Sequence, residues 1–121
     1  MVNARVGASN IDGLGLIAQE LIPAGTVVWQ FKAGFDLELP EEFVQELAEP
    51  ARRQVLSYCD GDFDPKRRVY TLSGDDARFT NHSEHPNTAC TPEGLETVAL
   101  TDIHPGEEIT WDYRYWRGEA E

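Results

Sequence analysis

Basic residues are scarce in this 121-residue chain, which has ten Lys and Arg against 22 Asp and Glu and a net charge of −12. Nucleic acids and anionic membrane surfaces attract proteins of the opposite charge, so we expect neither as a direct partner. A Lys/Arg-rich protein or peptide would be attracted to this chain. The plainer interpretation, that the acidity only maintains solubility, stays open at this point.

Long apolar runs are also absent, and the sequence therefore predicts neither a signal peptide nor a membrane span. Cysteine is limited to Cys59 and Cys90, which have no C-x-x-C spacing. We expect two free thiols in a reducing compartment, with a single disulfide as the alternative. The length and the 40% hydrophobic content predict one globular domain over residues 1–121.

Short β-strands separated by turns dominate the predicted secondary structure. Strands are expected within residues 13–18, 26–31, 69–72, 95–100 and 107–113, and turns at residues 23–25 and 104–108. The only convincing helical region covers residues 39–59, where Pro50 is expected to separate two short helices or to kink one. Residues 61–68 are predicted to form an exposed loop. This mostly β pattern differs from the strand–helix alternation of a doubly wound sheet.

Two segments concentrate the polar and aromatic chemistry. The first, RFTNHSEHPNT over residues 78–88, contains His82 and His85 in an H-x-x-H pattern with acids nearby, which raises the question of a metal site. Pro86 disfavours a helix at this point, and no third ligand stands at a recognisable spacing. We therefore predict polar turn residues and no metal. A Cys–His nucleophile is less well supported, because nothing around either cysteine indicates a lowered pKa.

The second segment, GEEITWDYRYW over residues 106–116, is rich in aromatic residues. On a strand, Trp111, Tyr113 and Tyr115 would share one face, because side chains alternate with a period of two. Buried tyrosine hydroxyls need hydrogen-bond partners, which makes a plain core unusual. A pocket lined by rings suits a cation or the alkyl stem of a long side chain.

Together with the G-L-G of Gly13, Leu14 and Gly15, these segments occur in an order and at spacings that resemble a SET domain, the fold of protein-lysine methyltransferases. The resemblance spans about residues 4–116. It implies a mostly β fold of several short-stranded twisted sheets, β-clip-like, with one helical insertion at about 39–59. It also implies a C-terminal pseudoknot that brings segments 78–88 and 106–116 into contact.

The resemblance further implies S-adenosylmethionine as cofactor. Asn81 would bind its amino-acid moiety and the His82 backbone its adenine, while Tyr113 would be the catalytic tyrosine and Tyr70 a further active-site tyrosine. The implied cofactor-binding residues are Gly13, Leu14, Gly15, Arg78, Phe79, Asn81, His82, Tyr113 and Trp116. The implied substrate channel contains Trp111, Tyr113, Tyr115 and Tyr70.

Three departures from the family pattern limit which family properties can be assigned to this chain. Glu84 stands where many members have a zinc-binding cysteine, and the tail RGEAE has no cysteine, so no structural zinc is expected. The lid over the channel must then come from Trp116 and the last residues or from a second subunit, and minimal SET proteins of similar length, including viral ones, can be homodimers. Trp111 replaces the usual Phe or Tyr, so the number of methyl groups added is left open.

The resemblance implies transfer of a methyl group from S-adenosylmethionine to a lysine of a basic protein, with a histone or histone-like tail as one candidate. It also implies a soluble intracellular location, either cytoplasmic or nuclear and chromatin-associated. The alternative is a non-catalytic module that binds basic or methylated peptides through the same aromatic channel.

Overall fold

The structure is a computed structural model that describes residues 1–59, 63–91 and 96–112. Within these ranges the chain forms ten β-strands, two α-helices and a 3-10 helix at Asp76–Phe79. The strands are β1 Ala4–Ala8, β2 Leu14–Ala18, β3 Val27–Gln30, β4 Leu37–Pro40, β5 Phe63–Asp64, β6 Val69–Leu72, β7 Asn81–His82, β8 Thr88–Cys90, β9 Glu96–Ala99 and β10 Glu108–Trp111; the helices are α1 Glu41–Glu46 and α2 Ala51–Cys59. The mostly β prediction is confirmed.

The strands form three small sheets, of which the largest has the order β1-β2-β10-β7. Strands β1 and β2 form an antiparallel hairpin, and β10 pairs antiparallel with β2 on one side and parallel with β7 on the other. The sheet therefore joins the first 18 residues of the chain to segments 78–88 and 106–116. The predicted contact between those two segments is confirmed for their described residues.

Two separate apolar clusters stabilise the molecule. The first contains Leu16, Ala18, Ile22, Val28, Ala99, Ile103 and Ile109, contributed by the largest sheet, by the sheet of order β3-β9-β8 and by the bridge between Ile22 and Ile103. The second cluster contains Val44, Cys59 and Tyr70, where the two helices pack against the third sheet, β4-β6-β5. Strands β2 and β10 thus contribute to the first cluster and the helical insertion to the second.

Pro50 does separate two helices, as predicted, and the bond between Glu49 and Pro50 is cis. The predicted start of the helical region at residue 39 is wrong, because Leu39 and Pro40 pair with Tyr70 and Val69 as the end of β4. Pairing with β6 gives hydrogen-bond partners to backbone N–H and C=O groups that would lack them at the end of a helix.

The predicted loop at residues 61–68 is wrong at Phe63 and Asp64, which form β5 against β6. The Phe63 ring packs against the Tyr70 ring with their centroids 4.7 Å apart, and this contact explains why an apolar residue stands within an otherwise polar segment. Both predicted turns are present, with Gly25 and Gly106 at φ of +88°, a conformation that glycine adopts without steric cost. Within the described residues no helix is both long and apolar enough to cross a membrane.

Candidate active site

The two polar segments meet where β7 pairs with β10. Asn81 lies opposite Thr110, and His82 lies opposite Trp111, in parallel register. The Ser83 N–H extends the pairing by donating to the Trp111 carbonyl at 2.9 Å. Backbone hydrogen bonds thus fix the Asn-His pair relative to the aromatic segment.

A second connection between the segments is made by the side chains of Asn87 and Thr88. The Asn87 Nδ2 donates to the Glu108 carbonyl, and its Oδ1 accepts from the Thr110 N–H, both at 2.8 Å. The buried Thr88 hydroxyl donates to the Thr110 carbonyl at 2.6 Å. Asn87 therefore connects segment 78–88 to β10 from its position directly after Pro86. Its amide carries a donor and an acceptor together, which is the property that such a connection needs.

Asn81 connects β7 to the G-L-G segment through its side-chain amide. Nδ2 lies 3.0 Å from the Leu14 carbonyl, 3.3 Å from the Asp12 carbonyl and 3.1 Å from Ser9 Oγ. It also donates to Glu108 Oε2 at 2.8 Å. An amide nitrogen has two hydrogens, so these four acceptors share them. The structure therefore brings the Asn81 side chain to the backbone of the G-L-G segment, and the cofactor-binding role of these residues stays a prediction.

Ser9 and Glu108 complete this cluster, and sequence reasoning missed both. The Ser9 hydroxyl donates to Glu108 Oε1 at 2.6 Å and accepts from the backbone N–H groups of Ile11 and Asp12 at 2.9 and 3.2 Å. Ser9 and Glu108 are 99 positions apart in the chain, so no local pattern relates them. The available signal was weaker: a serine before a turn commonly caps backbone N–H groups.

The G-L-G segment has one open and one crowded glycine. Gly13 has φ of +47°, and a Cβ placed on it would find no atom within 4 Å. Leu14 is 54% exposed. A Cβ on Gly15, by contrast, would lie 2.8 Å from Cδ of Glu108 and 3.1 Å from Cβ of Ser9. Glycine at 15 allows the carboxylate to approach the backbone, and glycine at 13 leaves the neighbouring backbone accessible to a ligand.

The His82 side chain lies beside an acid. Its Nδ1 is 3.6 Å from Asp112 Oδ1; the His82 side chain is 34% exposed and the Asp112 side chain 12% exposed. This contact involves only the His82 side chain, so the adenine-binding role predicted for the His82 backbone stays a prediction. Among the side chains that the structure describes, no three His, Cys, Asp or Glu residues are grouped as metal ligands, and the absence of a metal stays a prediction. Both cysteines are buried.

Arg78 and Phe79 lie on the 3-10 helix that precedes β7 and contact the helical insertion. The Arg78 guanidinium carbon is 5.0 Å from the centroid of the Tyr58 ring on α2 and 5.4 Å from that of Phe79. The two rings meet edge to face at 5.8 Å. Arg78 Nε is buried and has no hydrogen-bond partner among residues 1–59, 63–91 and 96–112. These contacts tie the position of the 3-10 helix before β7 to α2.

The proposed channel residues are separated in the described part of the structure. Trp111 is buried and lines a cavity of about 40 Å³ together with Trp29 and Thr71. Tyr70, next to Thr71 on β6, points to the opposite face and packs on Phe63. The structure thus brings Thr71, and not Tyr70, to the cavity beside Trp111, and the catalytic role of Tyr70 stays a prediction.

Three of the predicted site residues, Tyr113, Tyr115 and Trp116, lie outside the described residues. Their roles as catalytic, channel and cofactor-binding residues stay predictions. The described chain ends at Asp112, directly before Tyr113, so β10 leads into that residue from beside Asn81 and His82.

A family model described as SET domain matches residues 13–114, a range that contains the G-L-G, Asn-His and Trp-Asp-Tyr motifs. The chain belongs to the SET domain family. This SET domain is 32% identical over 126 residues to the histone-lysine N-methyltransferase trr of Drosophila melanogaster, and the match covers 93% of the chain and 5% of that relative. It is also 32% identical over 127 residues to an H3 lysine-4 specific histone-lysine N-methyltransferase of Chaetomium globosum, covering 93% of the chain and 11% of that relative.

Solved structures show the same fold. A candidate histone methyltransferase of Plasmodium falciparum superposes with a TM-score of 0.62 at 19% identity, covering 93% of this SET domain and 94% of that chain. A humanized mutant of the Chaetomium thermophilum Polycomb Repressive Complex 2 superposes with a TM-score of 0.64 at 21% identity, covering 93% of this chain and 15% of the other. The predicted SET fold is confirmed.

Proposed function

We propose that this SET domain is an S-adenosylmethionine-dependent protein-lysine N-methyltransferase that acts on a basic protein or peptide, with a histone or histone-like tail as the first candidate. The family and the names of the two relatives support this assignment. The structural observation that carries it is the pairing of β7 with β10, which holds Asn81 and His82 beside Trp111 while Asn81 hydrogen-bonds to the Leu14 carbonyl.

The residues present are compatible with the cofactor. Backbone near Gly13 is open to a ligand, and the buried, unpartnered Arg78 Nε retains a hydrogen-bond donor that suits a carboxylate. Residues Gly13, Leu14, Gly15, Arg78, Phe79, Asn81 and His82 would hold the cofactor, together with Tyr113 and Trp116. When bound, S-adenosylmethionine supplies a methyl group on a positively charged sulfonium sulfur.

The remaining work of the protein is to present a neutral amine in the correct orientation. A free lysine has a pKa of about 10.4 and is charged at neutral pH. Rings from Trp111, Tyr113 and Tyr115 would exclude water around its stem and lower that pKa, because burial disfavours the charged form. The Tyr113 hydroxyl would orient the amine by a hydrogen bond. Alignment of the reacting groups should provide most of the acceleration.

The charge of the domain agrees with a basic substrate. A net charge of −12 on 121 residues attracts Lys/Arg-rich segments and raises the rate at which they meet the site. We expect the value of kcat/KM for a basic peptide to fall as salt is added, because screening weakens this attraction.

The test is methyl transfer from radiolabelled S-adenosylmethionine to a panel of purified basic proteins that includes histones. We expect Tyr113→Phe to lose nearly all activity, while Tyr58→Phe, which also removes one hydroxyl from the folded chain, retains most of it. Equal activity of wild type and Tyr113→Phe would remove Tyr113 from the catalytic role. Calorimetry that finds peptide binding but no S-adenosylmethionine binding would instead favour a non-catalytic binding module. The predicted homodimer is checked by light scattering of the purified protein.

A further inference from the structure

Glu108 presents a carboxylate at the cofactor segments of this SET domain. It lies on β10 opposite Ile17, and its side chain reaches back over Gly15. Oε1 accepts from the Ser9 hydroxyl at 2.6 Å, and Oε2 accepts from Asn81 Nδ2 at 2.8 Å. The absence of a Cβ at Gly15 provides the space for this approach. The position of the carboxylate is therefore determined by three separate parts of the chain.

The charge of this carboxylate is not neutralised within the described structure. None of the ion pairs in ranges 1–59, 63–91 and 96–112 includes Glu108. Its two side-chain hydrogen-bond donors, Ser9 and Asn81, are both uncharged. Arg78, the arginine among the implied cofactor-binding residues, directs its guanidinium at the rings of Tyr58 and Phe79. The site thus holds a fixed negative charge that a positively charged ligand can complement.

We propose that Glu108 makes the site selective for the charged, methyl-bearing cofactor over the neutral thioether product that remains after transfer. This inference depends on the proposed function, because it takes S-adenosylmethionine as the ligand. The two ligands differ by one methyl group and one positive charge. A fixed carboxylate attracts the first more strongly, and the attraction is strengthened where the site is partly shielded from water. Loss of that charge after transfer removes the attraction and assists release of the product.

A purely structural role for Glu108 predicts something different. If the carboxylate only joined the β1–β2 turn to β7, its removal would loosen the site for both ligands equally. The ratio of the two dissociation constants therefore distinguishes charge selection from structural support. This ratio is a binding measurement and does not require turnover.

The experiment measures the Kd of S-adenosylmethionine and of S-adenosylhomocysteine by calorimetry for wild type, Glu108→Gln and Glu107→Gln. Glu107 is the matched control: it is exposed, its carboxylate accepts from the His104 N–H at 2.7 Å, and its substitution removes the same charge one residue away. We expect Glu108→Gln to weaken the charged ligand about tenfold more than the neutral one, equivalent to about 1.4 kcal/mol. Glu107→Gln should leave the ratio within about twofold of wild type, since exposed charges are screened.

Equal weakening of both ligands in Glu108→Gln would overturn the inference. So would a loss of preference for S-adenosylmethionine over S-adenosylhomocysteine in Glu107→Gln that is as large as the loss in Glu108→Gln. Failure of wild type to bind either ligand would instead reject the proposed function. If Glu108→Gln shows no cooperative melting transition, Glu108→Asp replaces it, because this variant retains the charge. Glu108→Asp should then keep the wild-type preference for S-adenosylmethionine, and a lost preference in a folded Glu108→Asp would contradict the role of the charge.

Discussion

Gly15→Ala should destabilise the domain, and most of the loss should disappear when Glu108 is also replaced by alanine. The added methyl group would lie 2.8 Å from Cδ of Glu108 and 3.1 Å from Cβ of Ser9, so the carboxylate must move. Its hydrogen bonds with Ser9 and Asn81 would then be weakened or lost. Overpacking of this kind costs about 1–3 kcal/mol. Hydrogen bonds to a charged group contribute about 1.5–3 kcal/mol each, and less where the group is partly exposed, as Glu108 is.

We therefore expect Gly15→Ala to lower the free energy of unfolding by about 3 kcal/mol, which for a chain of this length corresponds to a fall in Tm of roughly 10 °C. The assay is urea denaturation followed by circular dichroism on four proteins: wild type, the two single variants and the double variant. In the Glu108→Ala background the methyl group no longer meets a carboxylate. The coupling energy between positions 15 and 108 should then be about 1.5 kcal/mol or more.

Gly13→Ala is the control for an added methyl group on the same segment. Its backbone has φ of +47° but no atom lies within 4 Å of the new methyl position, so only a backbone cost of about 1–2 kcal/mol is expected. That cost should be the same with and without Glu108. The reasoning is refuted if Gly15→Ala destabilises the Glu108→Ala protein as much as it destabilises wild type.

Three further predictions concern the helical insertion and the third sheet. Val44→Ala should cost about 2 kcal/mol in urea denaturation, because Val44 is fully buried in the second cluster, where the helices pack on the third sheet. Burial opposes ionisation of Asp64, but hydrogen bonds from the Arg67 side chain and from two backbone N–H groups outweigh it and lower the pKa of Asp64. The resulting stability is present above about pH 4 and is lost as pH falls through the lower folded pKa, so Asp64→Asn should flatten that acid limb of a pH–stability curve by at most about 1 kcal/mol. Arg78→Lys should lower Tm by a few degrees, because a lysine keeps the charge but loses the guanidinium contacts with the Tyr58 and Phe79 rings, worth about 0.5–1 kcal/mol each. An unchanged melting curve would contradict this.

The sequence predicted correctly those elements whose secondary structure follows from the residues of the element itself. Strand β6 occupies Val69–Leu72 as predicted, because its β-branched and aromatic residues are bounded by turn residues on both sides. Pro50 divided the helical region for an equally local reason, since it cannot continue a helix from the preceding turn. The order of the motifs, through the family resemblance, predicted the contact between segments 78–88 and 106–116.

The rest depended on partners that are distant in the sequence. Glu108 could not be distinguished from Glu107 before the fold was known, because only the direction of β10 turns one carboxylate toward Ser9 and the other toward solvent. Phe63 and Asp64 join a sheet only because β6 offers a free edge. The same limitation applies to Tyr70, whose direction is set by the pairing of β6 with β4 and cannot be determined from its position in the motif alone.

The central position of β10 has a consequence for synthesis of the protein in the cell. Strand β10 lies between β2 and β7 and comes from residues 108–111, whereas its partners lie at residues 14–18 and 81–82. On the ribosome, chain growth proceeds from the N-terminus, so β2 and β7 emerge long before the strand that joins them. Until then both have unpaired backbone edges, which are prone to pair with other chains. A nascent chain that stalls before residue 108 should therefore need protection by chaperones.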